Sequence, residues 1–331
     1  MFEQSSQFWM GGLRATNCVE ITTDATRLDD GSFWAISISF EGEAQFARFE
    51  NVSNSSFSAE PWRELSGPWS SSVKKDEYIN YVSLIRNSIA DGGVYQVNAC
   101  RELAHRFEGD SQSLDGLFAN LLVKNPANFA CYLHIDQLEI ASASPERLLS
   151  RKGSTLLTSP IKGTIRSDES SFGEKDKAEN LMIVDLMRND LGRICDPGSI
   201  EVTELFRNEK HPGITHLVSD VQGTLREGVS WKEILAATMP PGSVSGAPKS
   251  AALSIIQEHE GRRGPYCGTL GWIQGDRAEL SVAIRTFWTT GDEVIRFGTG
   301  AGITWGSDPA AEWEETQLKA RHLISIAGGE L

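Results

Sequence analysis

The chain has 331 residues, 40% of them hydrophobic, with 45 acidic against 31 basic side chains and a formal net charge of −14. That length supports a large core, as one α/β unit or as two domains, and the acidic balance argues against nucleic acid or anionic lipid as partner. An anionic substrate would have to meet concentrated local cations or a metal, since the general field repels it. The five cysteines (Cys18, Cys100, Cys131, Cys195, Cys267) lie more than thirty residues apart with no CxxC pair, a pattern that suggests neither a zinc ribbon nor a disulfide framework. Met1-Phe2-Glu3-Gln4 carries no basic leader and no apolar run reaches the length of a membrane span. The expectation is a soluble, cytoplasmic protein with reduced thiols.

Residues 1 to about 70 read as short strands and turns, with Ser32 to Phe40 alternating as a strand and Asn51 to Ser58 as a polar linker. Tyr78, Val82, Ile85 and Ile89 fall at helical spacing before the stop Asp91-Gly92-Gly93, and a strand follows over Val94 to Asn98. A helix is expected from Ser113, then short strands over 128–158, a long helix near 174–191, and shorter helices near 231–238 and 248–259. Strands fit 266–274, 279–288 and 293–298. Asp308 can cap a last helix, with Pro309 at its first position. Strands and helices mixed without strict βαβ alternation predict an α+β fold.

Several residues carry chemistry. Lys162, in Pro160-Ile161-Lys162-Gly163-Thr164, sits among apolar neighbours, where an ammonium tends to lose its proton and become a nucleophile. Taken alone it also fits a strand-end lysine reaching out to solvent. Asp176 and Glu179 on one helix, and Glu312 and Glu315 on another, form two pairs at i, i+3 spacing. Converging, these four hard oxygen ligands would call for Mg²⁺; left apart, they are solvated helix faces. Gly298-Thr299-Gly300-Ala301-Gly302 follows a strand and lets backbone N–H groups approach an anion. Gly242 to Ser250 looks like a phosphate loop but has Ala247 and Pro248 between glycine and lysine, so a tight turn into a helix is the better reading. Arg285 is a lone charge in an apolar strand, and a ligand carboxylate is a natural partner for it.

Taken in order, Gln96-Val97-Asn98, Ser144-Pro145-Glu146-Arg147, Pro160 to Thr164, Glu179 to Asp190, His216 to Ser219, Gly246 to Lys249, Ile284-Arg285-Thr286, Gly300 to Gly302 and Glu315-Thr316 resemble the chorismate-utilising enzymes. That family includes the first components of anthranilate synthase and aminodeoxychorismate synthase, and the isochorismate and salicylate synthases. The resemblance covers roughly Asp76 to Leu331 and implies a two-layered, mixed or antiparallel sheet core flanked by helices. It implies a β-rich segment over 1–72 packed on a catalytic domain over 73–331. No regulatory tryptophan motif is matched in the first segment.

Within the family, anthranilate synthases have alanine at the position of Lys162 and aminodeoxychorismate synthases have lysine. Isochorismate and salicylate synthases activate water with a lysine where this chain has Gln96. The resemblance therefore implies amination of chorismate at C4, a step toward 4-aminobenzoate and folate, with Lys162 as nucleophile and Glu146 as general acid. It places Mg²⁺ on Glu179 and Glu315, with Asp176 and Glu312 acting through waters. It puts the enolpyruvyl carboxylate on Arg285 and the Gly300, Ala301 and Gly302 backbone, with Gly163, Thr164, His216, Ser243 and Tyr266 around the rest of the substrate. No cysteine sits in a nucleophile elbow, and the resemblance implies a separate glutamine amidotransferase subunit as the source of ammonia. The alternatives are amination at C2 and a catalytically silent, partner-binding subunit.

Overall fold

The computed structural model describes residues 6–107, 113–166, 171–211 and 214–331. The chain opens with β1 (Gln7–Met10), β2 (Leu13–Thr22), β3 (Phe33–Ile38) and β4 (Ala44–Asn54), then β5 (Leu65–Pro68) and β6 (Ser70–Ser71). Next come α1 (Lys75–Ala90), β7 (Gln96–Arg106), α2 (Leu114–Lys124), β8 (Phe129–Ile135), β9 (Leu138–Ser144), β10 (Arg147–Lys152), β11 (Thr155–Ser159) and β12 (Ile161–Arg166). The second half runs α3 (Glu174–Gly192), β13 (Glu201–His211), β14 (Ile214–Thr224), α4 (Trp231–Thr238), β15 (Gly246–Ala247), α5 (Lys249–His259), β16 (Thr269–Gln274) and β17 (Arg277–Val282). It closes with β18 (Thr286–Thr289), β19 (Val294–Ile303), α6 (Pro309–Ala327) and β20 (Gly328–Glu330).

Eighteen of the described strands pair antiparallel in one curled sheet, and β20 pairs parallel with β5. Two arms leave β1. One runs through β2, β4, β3, β16, β17, β10, β11 and β14 to β12 and β13. The other runs through β8, β9, β18, β19 and β7 to β15 and β6. The arms fold over one another as two layers: Trp34, Ile36 and Leu280 of the first share a buried cluster with Val97, Ala99 and Ile303 of the second. The fold is thus the α+β sheet sandwich expected from the sequence. Strands β1 to β4 of the N-terminal segment are hydrogen-bonded members of the same sheet.

The helices form where caps and apolar faces coincide. Asp308 Oδ1 accepts from the Ala310 and Ala311 N–H groups to start α6, and Ser230 caps α4 with Glu233 reaching back. Helix α1 buries Tyr78, Val82 and Ile85. Three expectations need correction. Residues 51–54 end β4 and are not linker. The strand foreseen at 94–98 continues to Arg106 because it pairs with β19 along its length. The strand foreseen at 279–288 is two strands. β17 belongs to the first arm and β18 to the second, and between them Arg285 adopts φ 53° as the chain changes layers.

Candidate active site

Glu146 and Arg285 occupy two of the places where the chain crosses between layers. Glu146 joins β9 of the second arm to β10 of the first, and Arg285 joins β17 to β18. The crossings are stitched together: Ser144 Oγ donates to Val282 O at 2.6 Å, Val282 N donates to Glu146 O at 3.1 Å, and Glu146 N donates to Ser144 Oγ at 3.2 Å. The serine of the Ser-Pro-Glu-Arg run therefore fixes the glutamate backbone, while its arginine holds Glu279 at 2.7 Å.

A cavity of about 510 Å³, a size suited to a small organic ligand, opens beside these crossings. Glu146, Lys162, Gly163, Thr164, His216, Ser243, Tyr266, Arg285 and Gly300 of the expected site residues line it. Ala301 does not: its side chain is fully buried in the core. Gly302 faces Lys162, since a Cβ built there would lie 3.5 Å from Lys162 Nζ and 2.4 Å from Gln96 Nε2.

Lys162 is aimed by a bulge. The β12–β14 register shifts between Ile161 and Thr164, and Gly163 takes φ 89° with the start of α3 against it. A Cβ on Gly163 would meet Asp176 at 3.0 Å. Desolvation lowers the Lys162 pKa and Lys319 adds to that, while Glu179, Glu146 and Glu315 oppose it. Burial pushes Glu146 up to about 7, against the Ser243 hydrogen bond, the Lys162 charge and the Ile161 backbone bond. Each of the pair is thus moved toward its uncharged form by loss of water. The arrangement places an amine and a carboxyl group, each shifted toward its uncharged form, in one cavity, the two kinds of group that nucleophilic displacement with a proton for the leaving group requires.

Arg285 is shifted down by desolvation alone, and no described carboxylate pairs with it. A half-buried guanidinium in that state fits a ligand carboxylate. Thr164 Oγ1 and His216 Nδ1 are 2.8 Å apart. The ring of Tyr266 rests on Gly298, where a Cβ would come within 2.0 Å of Tyr266 Cγ. Gly298→Ala is therefore expected to displace that wall and cost about 1–3 kcal/mol of stability, read by urea unfolding. An unchanged midpoint would show that the ring moves freely.

The four expected metal-ligating carboxylates are electrostatically linked near Lys162, which feels Glu179 and Glu315. Glu179 feels Asp176 and Glu315, and Glu312 feels Glu315. Desolvation raises Glu179 and Glu312. Glu315 is lowered; desolvation is the largest influence on it, but Lys319, Lys175 and Lys162 outweigh it together. Among the described residues, no three His, Cys, Asp or Glu side chains are close enough to grip an ion unaided. Lys319 pairs with Glu315 at 2.7 Å and Lys175 stands 3.8 Å from Glu179. Glu179 Oε1, however, is buried with no hydrogen-bond partner. An all-oxygen set with an unsatisfied buried carboxylate oxygen fits a hard cation that completes its shell with water and substrate.

Sequence reasoning missed Lys319, which lines the cavity and donates to Gly300 O at 3.1 Å. Its only sequence signal is the i, i+4 spacing from Glu315.

The family model described as chorismate binding enzyme matches residues 18–325. The chain belongs to the chorismate-binding enzymes. It is 40% identical over 270 residues to anthranilate synthase component 1 of Aquifex aeolicus, covering 77% of this chain and 54% of that protein. It is 35% identical over 273 residues to aminodeoxychorismate synthase component 1 of Klebsiella aerogenes, covering 78% and 60%. The matched region thus spans little more than half the length of these relatives. In fold it is similar to anthranilate synthase component I of Streptococcus pneumoniae (TM-score 0.84, 22% identity, 98% of this chain and 93% of that one). It is also similar to the menaquinone-specific isochorismate synthase of Escherichia coli (TM-score 0.83, 20% identity, 98% and 89%). No helix among the described residues is long and apolar enough to cross a membrane.

Proposed function

We propose that this chorismate-binding enzyme aminates chorismate at C4, giving 4-amino-4-deoxychorismate. The observation that carries the reading is Lys162, a lysine moved toward neutrality in the same cavity as Glu146, whose pKa burial raises to about 7. Arg285 binds the enolpyruvyl carboxylate, and the Tyr266 ring bounds that side of the ligand. The Lys162 amine adds at C2 and forms an N–C2 bond. The ring double bonds shift, the C4–O bond breaks, and Glu146 delivers the proton that leaves with that hydroxyl as water. Ammonia then bonds to C4, the double bonds shift back, and the Lys162 nitrogen departs from C2. Glu146 regains a proton from the incoming nitrogen, so atoms and charge balance.

Glu179 and Glu315, assisted by Asp176 and Glu312, would hold Mg²⁺. Bound there, the ion supplies positive charge that anchors the ring carboxylate and draws electrons from the ring. Glu179→Gln and Glu315→Gln are each expected to weaken the Mg²⁺ activation midpoint about tenfold or more while leaving the fold intact. An unchanged midpoint in both variants would remove them as ligands.

The ammonia donor on this reading is a separate glutamine amidotransferase subunit. The deciding experiment incubates the purified chain with chorismate, Mg²⁺ and ammonium at alkaline pH and reads products by mass spectrometry. The 4-amino product is expected, with rates rising as more ammonium becomes ammonia, and glutamine alone gives no turnover. Anthranilate as product would favour C2 amination, the reading that the likeness to the Aquifex aeolicus protein supports. Glutamine-dependent turnover by the isolated chain would remove the need for a partner.

A further inference from the structure

A second cavity, of about 550 Å³, adjoins the first, and Tyr266 and Gly298 line both. Its remaining walls come from α1 through Tyr78 and Tyr81, from β7 through Arg101, from the turn after α5, and from Trp288 on β18. None of the chemistry above uses it.

Arg101 is 4% exposed. Its Nε donates to Thr316 Oγ1 at 2.9 Å and its terminal nitrogens donate to Ser71 Oγ and Gln317 Oε1. The guanidinium lies 4.3 Å above the Trp313 ring. All three acceptors are uncharged, and no described carboxylate forms an ion pair with it. The acidic side chains in the cavity wall are engaged elsewhere. Glu260 pairs with Arg263 at 2.8 Å and accepts from Tyr81 and from Cys100 N. Glu102 faces Arg296 at 3.6 Å, and Glu77 accepts from Lys74 N at 2.7 Å.

A buried cation without a counter-charge is costly, and a guanidinium has five N–H donors, of which three are accounted for here. Burial lowers the Arg101 pKa to about 10, in keeping with that cost. A second donor also lacks a partner: Trp288 is 3% exposed, and its indole N–H has no acceptor among the described residues.

We propose that this rear cavity binds a small organic carboxylate, with its anionic head on Arg101, the Trp288 N–H as a further donor, and its apolar body between Tyr78, Tyr81 and Tyr266. The aromatic walls select an organic body, since a bare inorganic anion would leave them wet. The site is distinct from that of Arg285, although the two share the Tyr266 wall.

The test uses 4-fluorobenzoate as probe, followed by fluorine NMR on the full chain carrying Arg285→Gln, which removes the front carboxylate partner whatever the enzyme's substrate. One equivalent is expected to bind. The neutral isostere 4-fluorobenzamide should bind about tenfold more weakly, and Arg101→Gln in the same background should cost about tenfold or more. Trp288→Phe keeps an aromatic side chain, though a smaller one, removes the indole N–H donor, and should weaken binding severalfold, so it decides the matter if Arg101→Gln fails to fold. No bound equivalent, equal affinity for the amide, or unchanged affinity in the folded variants would overturn the assignment.

Discussion

Lys162→Ala and Lys162→Arg are each expected to lose C4 amination by a factor on the order of 10³ or more while still binding chorismate and Mg²⁺. The alanine variant removes the amine. The arginine variant keeps a cation in the same place but supplies no nucleophile, because a guanidinium stays protonated. An ordinary lysine has a pKa of about 10.4 and is almost wholly charged at neutral pH, so the reaction depends on the site shifting that balance. Desolvation is the largest influence and favours the neutral amine; Lys319 helps, while Glu179, Glu146 and Glu315 work against it. A cation held by those same carboxylates would cancel part of their opposition. With ammonia withheld, the unmodified protein should accumulate an adduct on Lys162, locatable by peptide mapping. Normal C4 amination by Lys162→Ala with no trapped adduct would reduce Lys162 to an electrostatic neighbour.

The parts of this site that were legible in sequence are those set by local chemistry. The Asp308–Pro309 start of α6 and the i, i+3 carboxylates follow from helix geometry, and both are where spacing put them. Arg285 was legible as an isolated charge, but not as the residue at which a strand changes layers, because an apolar run reads the same whether it pairs with one neighbour or two. The bulge at Lys162 depends on register with β14, and no property of Ile161 to Arg166 alone encodes it. The hairpin of β13 and β14 escaped notice because Glu201 to Glu209 is mostly exposed and polar, so it lacks the alternation that marks a half-buried strand. Lys319 and Arg101 derive their meaning from partners far along the chain, Gly300 and Ser71 among them. Sequence spacing carries no signal for Arg101, and for Lys319 it shows only the pairing with Glu315.

Glu146→Gln is expected to separate activity from stability. As general acid, Glu146 works only when protonated, and burial holds its pKa at about 7. Adduct formation on Lys162, followed with ammonia withheld so that the ammonium equilibrium does not intervene, should therefore decline as pH rises through about 7. The acid limb reports a different event, the loss of the Lys162 proton. Glutamine fills the same space but has no proton to deliver, so the variant should form adduct about 10²–10⁴-fold more slowly and lose the alkaline limb. Stability should move the other way. The folded pKa lies above the unfolded value of 4.5, so the fold favours the protonated acid. Its contribution is complete below pH 4.5 and is lost as pH rises through about 7. Ionising the buried acid then costs ~3 kcal/mol, from about 1.4 kcal/mol for each pH unit of displacement. Glu146→Gln escapes that cost, so urea unfolding should show it gaining stability relative to the unmodified protein between pH 5 and pH 8. An alkaline limb that survives in the variant, or a stability difference that does not change with pH, would assign the proton to another group.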